Sequence, residues 1–270
     1  MSADISEAGH FPLIIGHRGA SGVAPENTLA AFARALEDGA DGIEFDVRLA
    51  RNRVPIVIHD ATLRRTASRD GAVSALTSDE LSKVDVGTWF DQKHAPSTHA
   101  SFARERIPTL AQVFQQFGSR FRVSYVEMKC AEAESDALAL EVVQLVRAHN
   151  LIERVVVESF TLDSIREIKR LAPEIKTAAL FERRLARPLP SPRRILAQAL
   201  KCQADEIALH HPLASRAMIE AATSAGFQTV VWTIDDSSWV ERAAALGLKA
   251  IITNHPATMC AARDALRTSS

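Results

Sequence analysis

A (β/α)₈ barrel, a TIM barrel of the α/β class, is the fold this sequence predicts, on three observations. Eight short apolar runs rich in β-branched residues recur along the chain, helical patterns stand between them, and 270 residues with 47% hydrophobic content suffice for one large core. The strands are residues 12–16, 42–47, 122–128, 154–159, 175–181, 205–209, 228–232 and 250–253, each but the last leading into a helix or a helix-bearing connection. Helices are clearest at residues 28–38, stopped by Gly39, and at 136–148, 162–171, 191–200, 215–225 and 237–246, the last two stopped by Gly226 and Gly247. Periodicity does not report closure, so an open doubly wound sheet is the competing architecture. The expected organisation is one domain over residues 1–270 with an insertion at about 60–106.

One run breaks the alternation. Residues 54–59 follow the second strand too closely for a crossover helix, because parallel neighbours need a connection of a dozen or more residues. An antiparallel arm fits: the second strand continues to Leu49, turns at Asn52-Arg53 and returns with His59 level with Asp46. The insertion that follows carries turn residues at Arg69-Asp70-Gly71, a short helix at residues 78–84 and the pair Trp89-Phe90, and reads as a small cap.

Bulk charge narrows the function. A net charge of −1 and a pI near 6.8 provide no basic field for nucleic acid or an anionic membrane, so anion recognition has to be local. Cys130, Cys202 and Cys260 are odd in number and far apart, which fits a reducing compartment better than a disulfide framework or a zinc site. Residues 1–10 hold no apolar signal core, and no apolar run is long enough to span a membrane. A cytoplasmic protein without an integral membrane segment is the expectation.

The chemistry concentrates at strand ends. Gly16-His17-Arg18-Gly19 closes the first strand, where barrels place their active sites, although a surface His-Arg pair in a loop would read the same. In Ile43-Glu44-Phe45-Asp46-Val47, period-two geometry sends Glu44 and Asp46 into the barrel and the apolar residues toward the helices. Glu127 and Lys129 share a face in the same way. Internal ion pairing is the bland alternative, yet one lysine cannot balance three carboxylates. Three converging carboxylates form a hard oxygen site that suits Mg²⁺ or Ca²⁺. Elsewhere His210-His211 follow a strand and either approach the site or sit in an exposed loop, and His94, His99 and His149 carry no pattern.

Taken together, His17-Arg18-Gly19, Pro25-Glu26-Asn27-Thr28, Glu44-x-Asp46, His59-Asp60 with Arg65-Thr66, Ile107-Pro108-Thr109-Leu110, Glu127-x-Lys129, Ser159-Phe160 and Trp232-Thr233 closely resemble the glycerophosphodiester phosphodiesterase family, in order from His17 to Pro256. The resemblance implies a barrel with a small inserted cap. It implies Glu44, Asp46 and Glu127 holding a divalent cation, His17 and His59 as an acid/base pair, and Arg18 and Lys129 gripping the phosphate. Trp232 would wall the glycerol carbons, with Glu26, Asn27, Ser159 and Phe160 in support. The expected substrate is a small glycerophosphodiester, cut to glycerol 3-phosphate and an alcohol. A phospholipase D-like enzyme acting on lysophospholipids, and a silent phosphate- or polyol-binding barrel, are the alternatives. One departure stands out: Thr253-Asn254-His255-Pro256 carries Asn where relatives often have Asp, which leaves the role of that position open.

Overall fold

The computed structural model describes residues 11–94, 101–130, 132–183 and 189–269; residues 1–10 and His99, on which two of the expectations fall, lie outside them. The elements in order are β1 (Leu13–His17), α1 (Leu29–Glu37), β2 (Gly42–Leu49), β3 (Pro55–Val57), α2 (Arg64–Ala67), α3 (Ser78–Leu81), α4 (Thr88–Lys93), α5 (Leu110–Phe117), β4 (Val123–Met128), α6 (Ser135–Ala148), β5 (Val155–Ser159), α7 (Leu162–Leu171), β6 (Lys176–Phe181), α8 (Pro192–Lys201), β7 (Glu206–His210), α9 (Arg216–Ser224), β8 (Gln228–Trp232), α10 (Trp239–Ala245), β9 (Ala250–Thr253) and α11 (Pro256–Ser269). The strands run in the order β1-β9-β8-β7-β6-β5-β4-β2, and β1 pairs with β2 to close the ring, all in parallel. Closure removes the open-sheet alternative.

Strand alternation sorts the core. Ile43, Phe45 and Val47 of β2 face outward into a cluster with α1, α5 and α6, while Ile15, Tyr125, Val156, Ala208 and Val230 fill the lumen. A second outer cluster lies under α8 to α11. Two buried polar groups sit deep in the barrel: Tyr125 Oη donates to Glu206 Oε2 at 2.9 Å, and Lys249 pairs with the same carboxylate.

Three expectations change. The last strand is followed by a helix after all: α11 packs Met259 and Cys260 into the outer core and pairs buried Arg263 with Asp41. The hairpin is antiparallel, with Val47 opposite Val57 and Leu49 opposite Pro55, but its register is one residue away from the expected one. Arg53 N donates to Ala50 O, Ala50 N donates to Val54 O, and the residue at positive φ is Arg53 (63°) rather than Asn52. This is a turn followed by a one-residue bulge. The extra residue brings Ile58 N onto Asp46 O at 2.9 Å, so His59 stands one place beyond the ladder. The helix expected at residues 78–84 is the shorter α3, with a capping box between Thr77 and Glu80.

The insertion builds a small core of its own. Leu63, Val73, Leu81, Val84 and Val86 pack with Ala50, Ile56, Ile58 and Ile107 from the hairpin and the approach to α5. Phe90 is buried edge-on to Phe102 and stacked on His94, and Trp89 donates to Val86 O at 2.8 Å, so this pair anchors the cap.

Candidate active site

The turn after β1 is tight because of its glycines. Gly19 has φ of +84°, and a Cβ there would lie 2.6 Å from the Ala31 backbone carbon; at Gly16 a Cβ would meet the Gly19 carbonyl oxygen at 2.8 Å. Arg18 between them is itself in the left-handed region, φ 53°, a conformation that costs a non-glycine residue roughly 1–2 kcal/mol. The contacts it makes explain why the turn is held. Arg18 N donates to Glu44 Oε2 at 3.1 Å, its Nη1 to Glu26 Oε1 at 2.8 Å, and its Nε lies 3.2 Å from Asp46 Oδ2.

His17, Arg18, Glu44, His59, Glu127 and Lys129 line a cavity of about 160 Å³ at the C-terminal end of the barrel, with Asp46 buried beside them. One oxygen each from Glu44, Asp46 and Glu127 come within 4.8 Å of one another. Asn27 brackets Asp46, donating from Nδ2 to Oδ2 at 2.8 Å and accepting Asp46 N at 3.2 Å. Lys129 Nζ lies 2.7 Å from Glu127 Oε1 and 3.3 Å from Asp46 Oδ1. One ammonium thus serves two buried carboxylates. Burial, reinforced by the Asp46 and Glu127 charges, pushes the Glu44 carboxyl well above the carboxylate range; burial and Asp46 push Glu127 up to about 8. Asp46 moves the other way, burial being outweighed by Arg18 and Lys129. A hard divalent cation would relieve this crowding of negative charge, since it supplies positive charge beyond the one shared ammonium.

The histidines are oriented by different partners. His17 Nδ1 lies 2.7 Å from Asn254 Oδ1; Asn254 Nδ2 donates to Asp235 at 2.7 Å, which turns the amide oxygen toward the ring and leaves the proton on Nδ1. His17 Nε2 then faces Glu44 at 3.9 Å. Burial, with help from Arg18, lowers the His17 pKa to about 4. His59 Nδ1 donates to Asp60 Oδ1 at 2.6 Å. Asp60 and Glu26 both accept from Arg65, at 2.7 Å and 2.6 Å, so a continuous chain of charges links Arg18 to His59. Burial lowers the His59 pKa as well, and Asp46 opposes that shift. Burial works against the Asp60 charge, but bonds from Arg65 and His59 hold its carboxyl at about 2.

The sequence-predicted residues fall together with two qualifications. Phe160 and Trp232 line the cavity, edge to face at 5.6 Å, whereas Ser159 is buried behind them, its Oγ donating to Met128 O at 3.0 Å. Glu26 sits between Arg18 and Arg65. Two contributors escape sequence reasoning. Arg48 donates from Nε to His59 O at 2.8 Å and from Nη1 to Lys129 O at 3.2 Å, tying the hairpin arm to the end of β4. Glu158 lies in the lumen beside Glu127, buried and lining the cavity, its carboxyl raised by burial and by Glu44 and Glu127. The alternation that exposes Glu44 and Asp46 to the lumen applies equally to Val156 and Glu158, so that signal was available. His210 stacks on Trp232 at 4.9 Å, resolving its ambiguity toward the site.

Comparison with known proteins agrees with this geometry. The sequence family described as the glycerophosphoryl diester phosphodiesterase family matches residues 17–258. A glycerophosphodiester phosphodiesterase of Caldanaerobacter subterraneus is 35% identical over 250 residues, 92% of this chain and 96% of that protein; one from Bacillus subtilis is 26% identical over 249 residues, 90% and 84%. Among solved structures, an Oleispira antarctica phosphodiesterase in complex with the product sn-glycerol-3-phosphate superposes with a TM-score of 0.82 at 26% identity, covering 94% of this chain and 97% of that one. A glycerophosphodiester phosphodiesterase from Agrobacterium tumefaciens gives 0.75 at 29%, covering 93% and 99%. The family match takes in His17, the acidic cluster and the last strand, and on that extent the chain belongs to the glycerophosphoryl diester phosphodiesterase family.

Proposed function

We propose that the enzyme hydrolyses glycerophosphodiesters to glycerol 3-phosphate and an alcohol, with a divalent cation, Mg²⁺ or Ca²⁺, held by Glu44, Asp46 and Glu127. The carrying observation is the convergence of three buried carboxylates, one oxygen of each within 4.8 Å of the others, with a single ammonium shared by two of them, flanked by two histidines whose Nδ1 atoms are both engaged. A bound cation supplies positive charge against the non-bridging phosphate oxygens. Arg18 and Lys129 add to it and fix the phosphate over the cavity. His17, neutral at pH 7, accepts at Nε2 a proton of the attacking water as the water oxygen bonds to phosphorus. His59, its ring held through Nδ1 by the Asp60 carboxylate, hands a proton to the departing alkoxide as the P–O bond breaks. Trp232 and Phe160 wall the carbon skeleton. The product complex of the Oleispira antarctica relative supports the glycerol phosphate half of this reading.

Free thiols at Cys130, Cys202 and Cys260, together with the absence, among the described residues, of a helix long and apolar enough to cross a membrane, support a cytoplasmic setting. The experiment is turnover of glycerophosphocholine, with glycerol 3-phosphate read by a coupled dehydrogenase. Chelation is expected to abolish turnover and added Mg²⁺ or Ca²⁺ to restore it; full activity after exhaustive chelation would refute the cation.

A further inference from the structure

Glu158 stands in the catalytic cavity without a partner. It belongs to β5 and lies in register with Glu127 of β4, so both side chains enter the lumen side by side. It is 1% exposed, lines the cavity of about 160 Å³, and its Oε2 accepts no hydrogen bond. The three clustered carboxylates differ, since each has a cation or an N–H against it: Arg18 N on Glu44, Arg18 and Lys129 on Asp46, and Lys129 on Glu127. Buried polar groups are ordinarily paired, and a buried carboxyl is costly to keep alone. Glu158 is therefore available to a ligand group that donates a hydrogen bond.

Its place in the ring says which group. His17 ends β1 and His59 follows the arm beside β2, whereas Glu158 lies on β5, with β4 and Glu127 between. A phosphate held between the two histidines leaves the glycerol to reach toward β5, and the polar group most distant from phosphorus on that glycerol is the 1-hydroxyl. Phe160, Leu180, Trp232 and Ile252 complete the wall on that side of the ring, and they offer the carbons hydrocarbon and ring faces. We propose that Glu158 receives the hydrogen of the glycerol 1-hydroxyl and so determines specificity, selecting diesters in which that hydroxyl is free; the proposal rests on the phosphodiesterase reading above. An ester or ether oxygen in the same place has no hydrogen to give and sets one acceptor against another in a closed cavity. A 1-acyl lysophospholipid is turned away at this residue.

Three choline diesters test this, with turnover followed by phosphorus NMR at saturating Mg²⁺: glycerophosphocholine, its 1-deoxy analogue and its 1-deoxy-1-fluoro analogue. Fluorine keeps the size of the hydroxyl and removes its hydrogen. The parent enzyme is expected to favour glycerophosphocholine over both analogues by roughly 10–100-fold in kcat/KM, as a buried acceptor left unpaired penalises each. Glu158→Leu should bring both ratios toward one, and Glu158→Gln, whose amide oxygen still accepts, should keep part of them. Equal kcat/KM for all three in the parent, a fluoro analogue as good as glycerophosphocholine, or ratios undiminished in Glu158→Leu each overturn the assignment and leave the phosphodiesterase reading standing. No turnover of any of the three by the parent overturns both. The rise in Tm that saturating Mg²⁺ gives the parent should persist in both variants; its loss in both would make Glu158 a cation ligand and overturn its role toward the hydroxyl.

Discussion

Burial and the neighbouring Arg18 charge keep the His17 ring unprotonated above about pH 4, against 6.5 for an ordinary histidine, and the bond from Nδ1 to the neutral Asn254 amide oxygen offsets only part of that shift. Between those two values the unfolded chain binds more protons than the folded one, so this residue's contribution to stability falls as the pH drops through that window. Asn254→Asp places a carboxylate on Nδ1 and is expected to raise the ring's pKa in the metal-free protein, measured by NMR titration, and to move the acid limb of kcat/KM to higher pH. An unchanged titration would detach Asn254 from His17. If the histidines divide the proton transfers, alanine at either should lower kcat roughly 10²–10⁴-fold. His59→Ala should be partly rescued on a diester with a p-nitrophenolate leaving group, which needs little protonation, and His17→Ala should not. Equal losses on every substrate, with loss of bound metal, would make them ligands instead. Much at this scale was legible: the lumen carboxylates follow from period-two alternation alone. Asn254 was not, because its orientation comes from Asp235, nineteen positions away, through a bond that local pattern does not carry.

At the scale of elements, the hairpin arm shows how a turn sets a site. Its antiparallel course followed from the shortness of the connection, but its register depended on whether Asn52 or Arg53 takes the positive φ. Arg53→Gly removes the left-handed cost and is expected to stabilise the protein by about 1 kcal/mol in urea unfolding, whereas Arg53→Val should destabilise it by at least about that much. Activity of the valine variant should fall with displacement of His59; a stable, fully active Arg53→Val would show that the bulge does not position it. The helix boundaries read from sequence lie within two residues of the observed ones at α1, α6, α7, α8, α9 and α10. The last helix was hidden because Arg263, buried against Asp41, interrupts its apolar stripe. Charge on a core face imitates a solvated one.

For the molecule as a whole, the eight alternating units were readable but closure was not, since only the pairing of β1 with β2 distinguishes a ring from an open sheet. We propose that barrel and cap unfold together, because the cap's core is shared with Ala50, Ile56 and Ile107. A single calorimetric transition is therefore expected. A divalent cation at about a hundred times its Kd should stabilise the fold by about 2.7 kcal/mol, a rise in Tm of roughly 5–10 °C at this chain length. Glu44→Ala should lose that rise, and a cation-independent Tm in the parent protein would contradict a cage at this site. The ring also divides the labour along the chain. His17, Arg18, Glu44, Asp46, His59, Glu127 and Lys129 all come from the contiguous arc β1-β2-β4 and its arm, while Glu158, Phe160, Leu180, Trp232 and Ile252 come from beyond β4. We propose that a gene crossover falling between β4 and β5 would graft one parent's pocket wall onto another parent's histidines and carboxylates, with Glu158 beside Glu127 and Asn254 on His17 the inherited obligations across the joint, so that selectivity could be bred by recombination.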